Sequence, residues 1–74
     1  VYILILAESG RELEISREVK KIQGVAESLV VYGEFDVVAR AEFRDLTVLD
    51  EAVYAIRKIP GVIKTTTLIG SASP

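Results

Sequence analysis

Few residues of this chain could do chemistry, and they fall in two short groups. Asp36 lies just past a glycine turn, with Arg40 beyond it, and Thr65, Thr66 and Thr67 stand together near the C-terminus. All five are set among apolar neighbours. A carboxylate, a guanidinium and a row of hydroxyls can hold a polar ligand by charge and hydrogen bonds. The same residues also have a plain structural reading. Threonine forms strands well, and an acid beside a hairpin is usually solvated. Spacing alone leaves both readings open.

Catalysis is poorly served. The chain has no His and no Cys, so acid–base work would fall to carboxylates, Lys and Tyr. Glu8, Glu12 and Glu14 crowd together, but their places read as a helix cap and a helix face. No catalytic residue is expected. The same two absences remove the usual ligands of zinc and haem, so no metal and no cofactor is expected.

The elements that must position these residues are announced by a repeat. The phrase KIQGV, Lys21 to Val25, returns as KIPGV, Lys58 to Val62, 37 positions later in a chain of 74. Other identities at the same offset are Val1/Val38, Glu14/Glu51 and Gly33/Gly70, with Lys20/Arg57 a conservative match. Each half reads strand, helix, strand. Val1–Ala7 is an aliphatic run too short for a helix. Ser9 and Glu12 have the spacing of a capping box, and Ile15, Val19 and Ile22 make one apolar stripe. Gly24 then takes the left-handed position past the helix, and a strand follows over 25–32.

In the second half, 35–43 alternates as a strand, with Phe35, Val37, Ala39, Ala41 and Phe43 on one side. Asp45 or Thr47 caps a helix whose stripe is Leu49, Ala52, Val53, Ile56 and Ile59. Gly61 closes it, and 62–69 is the last strand. The turn Tyr32-Gly33-Glu34-Phe35 joins the halves as a type II′ hairpin. The predicted fold is α+β: a ferredoxin-like βαββαβ chain with both helices on one face of a four-stranded antiparallel sheet. Residues 1–70 read as a single domain and 71–74 as a flexible polar tail.

The other face of that sheet is expected to be apolar as well, through Tyr2, Leu4, Leu6, Leu29, Val30, Val31, Ile63, Leu68 and Ile69. An exposed patch of this kind marks a partner surface. Half the residues are hydrophobic, and so small a chain without disulfides cannot hide them in one core. A homodimer packed sheet to sheet follows. The lack of Cys fits a cytoplasmic protein. No apolar run is long enough to span a membrane, and no signal peptide is evident. The absence of Asn and Met, with a single Gln, leans toward a thermophilic source.

The pattern Gly33-Glu34-Phe35-Asp36, followed by an alternating strand, resembles the G-[DE]-[FY]-D segment of the Lrp/AsnC effector domain. That module is also called RAM, for regulation of amino-acid metabolism. The stretch Ile56-Arg57-Lys58-Ile59-Pro60-Gly61-Val62, then Thr65-x-Thr67-x-Ile69, resembles the closing segment of the same family. The likeness runs from Val1 to about Gly70. It implies dimers joined through their sheets and assembled further into rings, often octamers. It also implies a small effector, usually an amino acid, in clefts between dimers.

Carried over by position, the ligand-binding residues would be Gly33, Glu34, Phe35, Asp36, Thr65 and Thr67. Asp36 would pair with an α-ammonium, and the glycine turn would offer backbone N–H groups to an α-carboxylate. Exchange of Asp36 for alanine is then expected to remove a ligand contact and leave the fold intact. The chain departs from the family in starting within the first strand, without a helix-turn-helix, and in carrying Gly70 where an aliphatic residue is usual. It is expected to be either a stand-alone effector domain or a trimmed one, serving transcription regulation alone or mixed with DNA-binding family members. A purely structural oligomerisation domain and an ACT-like amino-acid-binding regulatory domain are the alternatives.

Net charge is −2, and acids and bases are interspersed. Direct nucleic-acid binding needs a clustered basic face, which is missing. The purified chain is expected to leave duplex DNA unshifted in a gel. A salt-sensitive shift of one particular sequence would contradict this charge reading.

Overall fold

The computed structural model describes residues 1–70, and alternation along its strands decides what each side of the sheet shows. The elements are β1 (Tyr2–Ala7), α1 (Glu12–Lys20), β2 (Val25–Val30), β3 (Val37–Ala41), α2 (Leu46–Arg57) and β4 (Val62–Leu68). The sheet order is β2-β3-β1-β4, with every pairing antiparallel. This is the expected ferredoxin-like arrangement. The tail 71–74 lies outside the described residues.

Ile3 and Ile5 of β1 stand directly opposite Ala39 and Val37 of β3, and opposite residues share a face. All four are fully buried, together with Ile15 and Val19 from α1 and Ile56 from α2. Leu49 and Ala52 complete the buried stripe of α2, while Val53 and Ile59 pack at its margin. Replacing a fully buried Ile by Ala costs about 2–5 kcal/mol in cores of this kind.

The two halves correspond nearly bond for bond where each helix ends. Lys21 and Lys58 are the C-caps, and their N–H groups donate to the carbonyls of Glu18 and Ala55. Ile22 and Ile59 then donate to Val19 and Ile56, and Val25 and Val62 donate back to Ile22 and Ile59. Gly24 and Gly61 have φ of 98° and 97°. The repeated phrase is thus one helix-to-strand corner made twice.

Two local expectations are corrected, and an open choice between Asp45 and Thr47 is settled. Ser9 does not cap α1: Ser9 and Gly10 form a turn, and Arg11 takes the N-cap place with no side-chain bond. Its N–H instead donates to the Glu8 carbonyl at 3.0 Å. The hairpin is wider than a type II′ turn. Residues 31–36 connect β2 to β3, closed by Val31 N–H donating to Asp36 C=O at 2.9 Å. At the second helix, Asp45 is the cap, its Oδ1 accepting from Val48 N–H at 3.0 Å.

The bare face also has a smaller membership than the composition suggested. It carries Tyr2, Leu4 and Leu6 with Leu29, Val38 and Leu68, beside the cross-strand pair Arg40 and Glu27. Val30 lies opposite the buried Val37 and so belongs to the helix side. Ile63 lies where β4 shifts register against β1, between Val62 opposite the buried Ala7 and Lys64 opposite Leu6, so alternation assigns it to neither face.

The paired corners generate a test. A Cβ on Gly24 would sit 2.6 Å from the Phe43 ring and 3.0 Å from the Glu42 carbonyl oxygen. On Gly61 it would meet Arg11 Nε and Cδ at 2.7 and 2.8 Å and Ile15 Cδ1 at 3.2 Å, all of them side-chain atoms. Alanine at either place incurs roughly 1–2 kcal/mol for the left-handed backbone. Gly24→Ala is expected to lower stability in urea denaturation more than Gly61→Ala, because a ring and a backbone carbonyl must also shift.

Candidate functional site

The glycine turn and the threonines flank β1 from opposite sides. Asp36 N–H donates to Ile5 C=O at 2.9 Å, and Asp36 Oδ2 accepts from Ala7 N–H at 2.8 Å. The carboxylate thereby satisfies a backbone donor at the end of β1, where the pairing with β4 shifts register between Leu6 and Ala7. Among the described residues no group bonds to its Oδ1. Gly33 has φ of 136°, and both it and Glu34 are exposed, while Phe35 is half-buried. Arg40, the other polar residue of this group, faces Glu27 across the strands at 3.6 Å.

Thr65 and Thr67 stand opposite Ile5 and Ile3, so their side chains share the helix side, while Thr66 joins Leu4 on the bare face. The backbone is oriented by alternation. Val1 and Ile5 turn their carbonyls toward β3, receiving Ala41 and Asp36 N–H. The even residues of β1 therefore bond to Lys64, Thr66 and Leu68, and the N–H groups of Thr65 and Thr67 point out of the open edge of β4. Arg57, the last residue of α2, donates through Nε to Thr65 Oγ1 at 3.0 Å.

Within one chain the two groups do not meet. They are separated by β1, two strand spacings or about 9.5 Å across the sheet. A small ligand touching both would need them to come from different copies.

Two hollows lie at the sheet's edges. The larger, about 780 Å³, runs between α1 and β2 and is lined mostly by charged residues, among them Glu14, Glu18, Lys20, Lys21 and Glu27. Its charges are mixed, with Lys21 and Glu18 paired at 2.9 Å, and Ser16 bonded to Ser28 at 2.9 Å. None of the residues expected to bind ligand reaches it. The smaller, about 420 Å³, is lined by Arg57, Val62, Ile63, Lys64 and Thr65. Size favours the first, but chemistry favours the second, which holds a candidate residue beside a guanidinium. Sequence reasoning passed over Arg57, although the match of Lys20 with Arg57 placed it at the helix end beside the returning strand.

Among the described residues no group of three or more His, Cys, Asp or Glu could hold a metal ion. No described helix is long and apolar enough to cross a membrane.

The bond from Ala7 to Asp36 changes what a substitution there does. Asp36→Ala would leave a part-buried N–H without its acceptor, a loss of about 1–3 kcal/mol. The fold is therefore not indifferent to this side chain, contrary to the sequence expectation. Asp36→Asn keeps an acceptor oxygen and is expected to denature close to wild type, with the alanine variant clearly weaker. Equal urea midpoints for the two variants would contradict the assignment.

Comparison with known proteins agrees with this geometry. A crystal structure from Thermus thermophilus superposes with a TM-score of 0.91 and 31% identity, covering 99% of this chain and 94% of that one. A hypothetical protein from Pyrococcus horikoshii has a TM-score of 0.86 and 33% identity, covering 97% and 88%. A homocitrate synthase of Sulfolobus acidocaldarius is 32% identical over 53 residues, 72% of this chain and 11% of that enzyme. The chain thus spans about a tenth of the length of that relative. The family model of the Lrp/AsnC ligand binding domain matches residues 1–73, nearly end to end, and this chain belongs to that family.

Proposed function

We propose that the chain is a cytoplasmic, oligomer-forming sensor domain that binds an amino acid or related metabolite. The observation carrying this reading is membership of a ligand-binding-domain family over residues 1–73. Residues 1–70 act as one effector domain, and transcription regulation is its output. The bare apolar face supports a sheet-to-sheet homodimer. Full burial of a Leu-sized side chain contributes roughly 1.5–3 kcal/mol. The six on each copy are already half covered, so a pair of copies gains about 9–18 kcal/mol, enough to offset an association cost of ~4–15 kcal/mol.

The ligand lies between dimers, which associate into a larger ring of octamer type. One copy supplies Gly33, Glu34, Phe35 and Asp36, and the other supplies Thr65 and Thr67. The separation of these groups across β1 supports a shared cleft. Asp36 Oδ1 is the acceptor for the ligand's ammonium.

The likeness to a segment of a homocitrate synthase supports a second reading, in which the same module senses its ligand on behalf of an enzyme. The two share the sensing step and differ in output.

Sedimentation at micromolar concentration is expected to give a dimer or larger species, and calorimetric titration with the twenty amino acids is expected to give saturable heat for one or a few. A folded monomer would remove the sheet interface. Silence across all twenty would leave a structural oligomerisation domain. A ligand located against the helices in a co-crystal would favour an ACT-like site instead.

A further inference from the structure

The residues assigned to the effector cleft, Gly33, Glu34, Phe35, Asp36, Thr65 and Thr67, include two acids and no base. The resemblance assigns an amino acid's carboxylate to uncharged N–H groups of the glycine turn, but that turn carries Glu34 and Asp36, which repel a carboxylate. The geometry points to Arg57 as the missing cation: held by Thr65 at the open edge of β4, it takes the ligand's carboxylate.

The hydrogen bond from Arg57 Nε to Thr65 Oγ1 orients the guanidinium, and among the described residues neither Nη group has a hydrogen-bond partner. Their paired N–H bonds match the two oxygens of a carboxylate, a match that a flexible ammonium lacks. The same bond orders the threonine. Its oxygen is accepting from Arg57, so its own O–H proton is available to a second acceptor. The Thr65 N–H also points out of the edge. Side-chain and backbone donors thus border one hollow of about 420 Å³, which has no acidic liner. Among the described residues no carboxylate pairs with Arg57. The carbonyls of Ala55 and Ile56 at the end of α2, which would repel an anion, already accept from Lys58 and Ile59 N–H.

The first half of the chain is an internal control. At the offset of 37, Lys20 corresponds to Arg57, Ser28 to Thr65, Glu27 to Lys64 and Ser16 to Val53. In the first half, Ser28 is bonded to Ser16, and acids share the hollow with bases. In the second, Val53 offers no hydroxyl, Thr65 turns to Arg57, and the neighbouring strand charge is reversed. Two corners of equal backbone geometry therefore differ in charge, and of the two only the second carries an oriented guanidinium without a carboxylate partner among the described residues.

This assignment rests on the effector reading in taking Thr65 as a ligand contact, and its test separates the two. The isotope-labelled full chain is titrated at fixed chloride concentration with each of the twenty amino acids, with acetate as a bare carboxylate, and with methylamine as a bare ammonium. The Arg57 Nε–H and Thr65 amide resonances are followed by NMR. Carboxylate-bearing probes are expected to shift both saturably, and methylamine neither. Arg57→Gln is expected to weaken binding about tenfold or more, and Thr65→Val several-fold. Amino-acid binding of equal strength in Arg57→Gln would overturn the role of Arg57 and leave the effector reading in place. Saturable acetate binding at Arg57, with no amino acid binding more tightly, would keep the carboxylate site and remove the amino-acid reading. No saturable shift with any probe would overturn both.

Discussion

Two helices can cover only one side of a four-stranded sheet, and the rest of this molecule follows from that constraint. α1 and α2 both pack on the side bearing Ile3, Ile5, Val37 and Ala39, which they bury completely. Tyr2, Leu4 and Leu6 alternate with those residues along β1 and are turned to the bare side, with no described element to cover them. β1 is thus apolar on both sides, as a strand covered on both faces would be. On the proposed reading, what exceeds the needs of so small a core supplies a second one formed between copies.

The internal repeat makes the corners reliable without making the halves equivalent. Both helices leave through the same run of hydrogen bonds and a left-handed glycine, so α1 returns to β2 as α2 returns to β4. The strands then meet different fates. β2 borders β3 while β4 borders β1, and each leaves one edge open. Backbone geometry is shared between these edges, so side chains decide how they differ. Ser16 and Ser28 close one edge upon itself, whereas Arg57 and Thr65 leave donors facing outward at the other.

Position relative to β1 divides the work at the candidate site. Asp36 is first a structural residue, holding the end of β1 through Ala7 N–H, and has one oxygen to spare. Thr65 is likewise engaged on one side only. Groups that are half-satisfied in this way are rigid before any ligand arrives, which lowers the entropy lost on binding. Since β1 separates them, the proposed cleft would draw on more than one copy, and on that reading its occupancy is linked to how copies associate.

The sequence by itself determined the fold, because each of its signals is local. Period-two alternation in 37–41, apolar stripes at Ile15 and Val19 and at Leu49, Ala52 and Ile56, and glycines at 24 and 61 all depend on near neighbours. It also indicated that β1 would be apolar on both sides, since Tyr2, Leu4 and Leu6 alternate with Ile3 and Ile5. Signals that compete locally were misread. Ser9 had capping spacing, but the turn made with Gly10 and the bond from Arg11 to Glu8 moved the helix start beyond it. Val30 was hydrophobic enough for the bare face, yet register with Val37 assigned it otherwise. The tertiary structure alone decided the partners of the polar residues. Asp36 finds Ala7 across 29 residues, and Arg57 finds Thr65 only once α2 has packed beside β4. Hydrogen bonds of that kind are set by the meeting of elements distant in sequence, and no spacing along the chain encodes them.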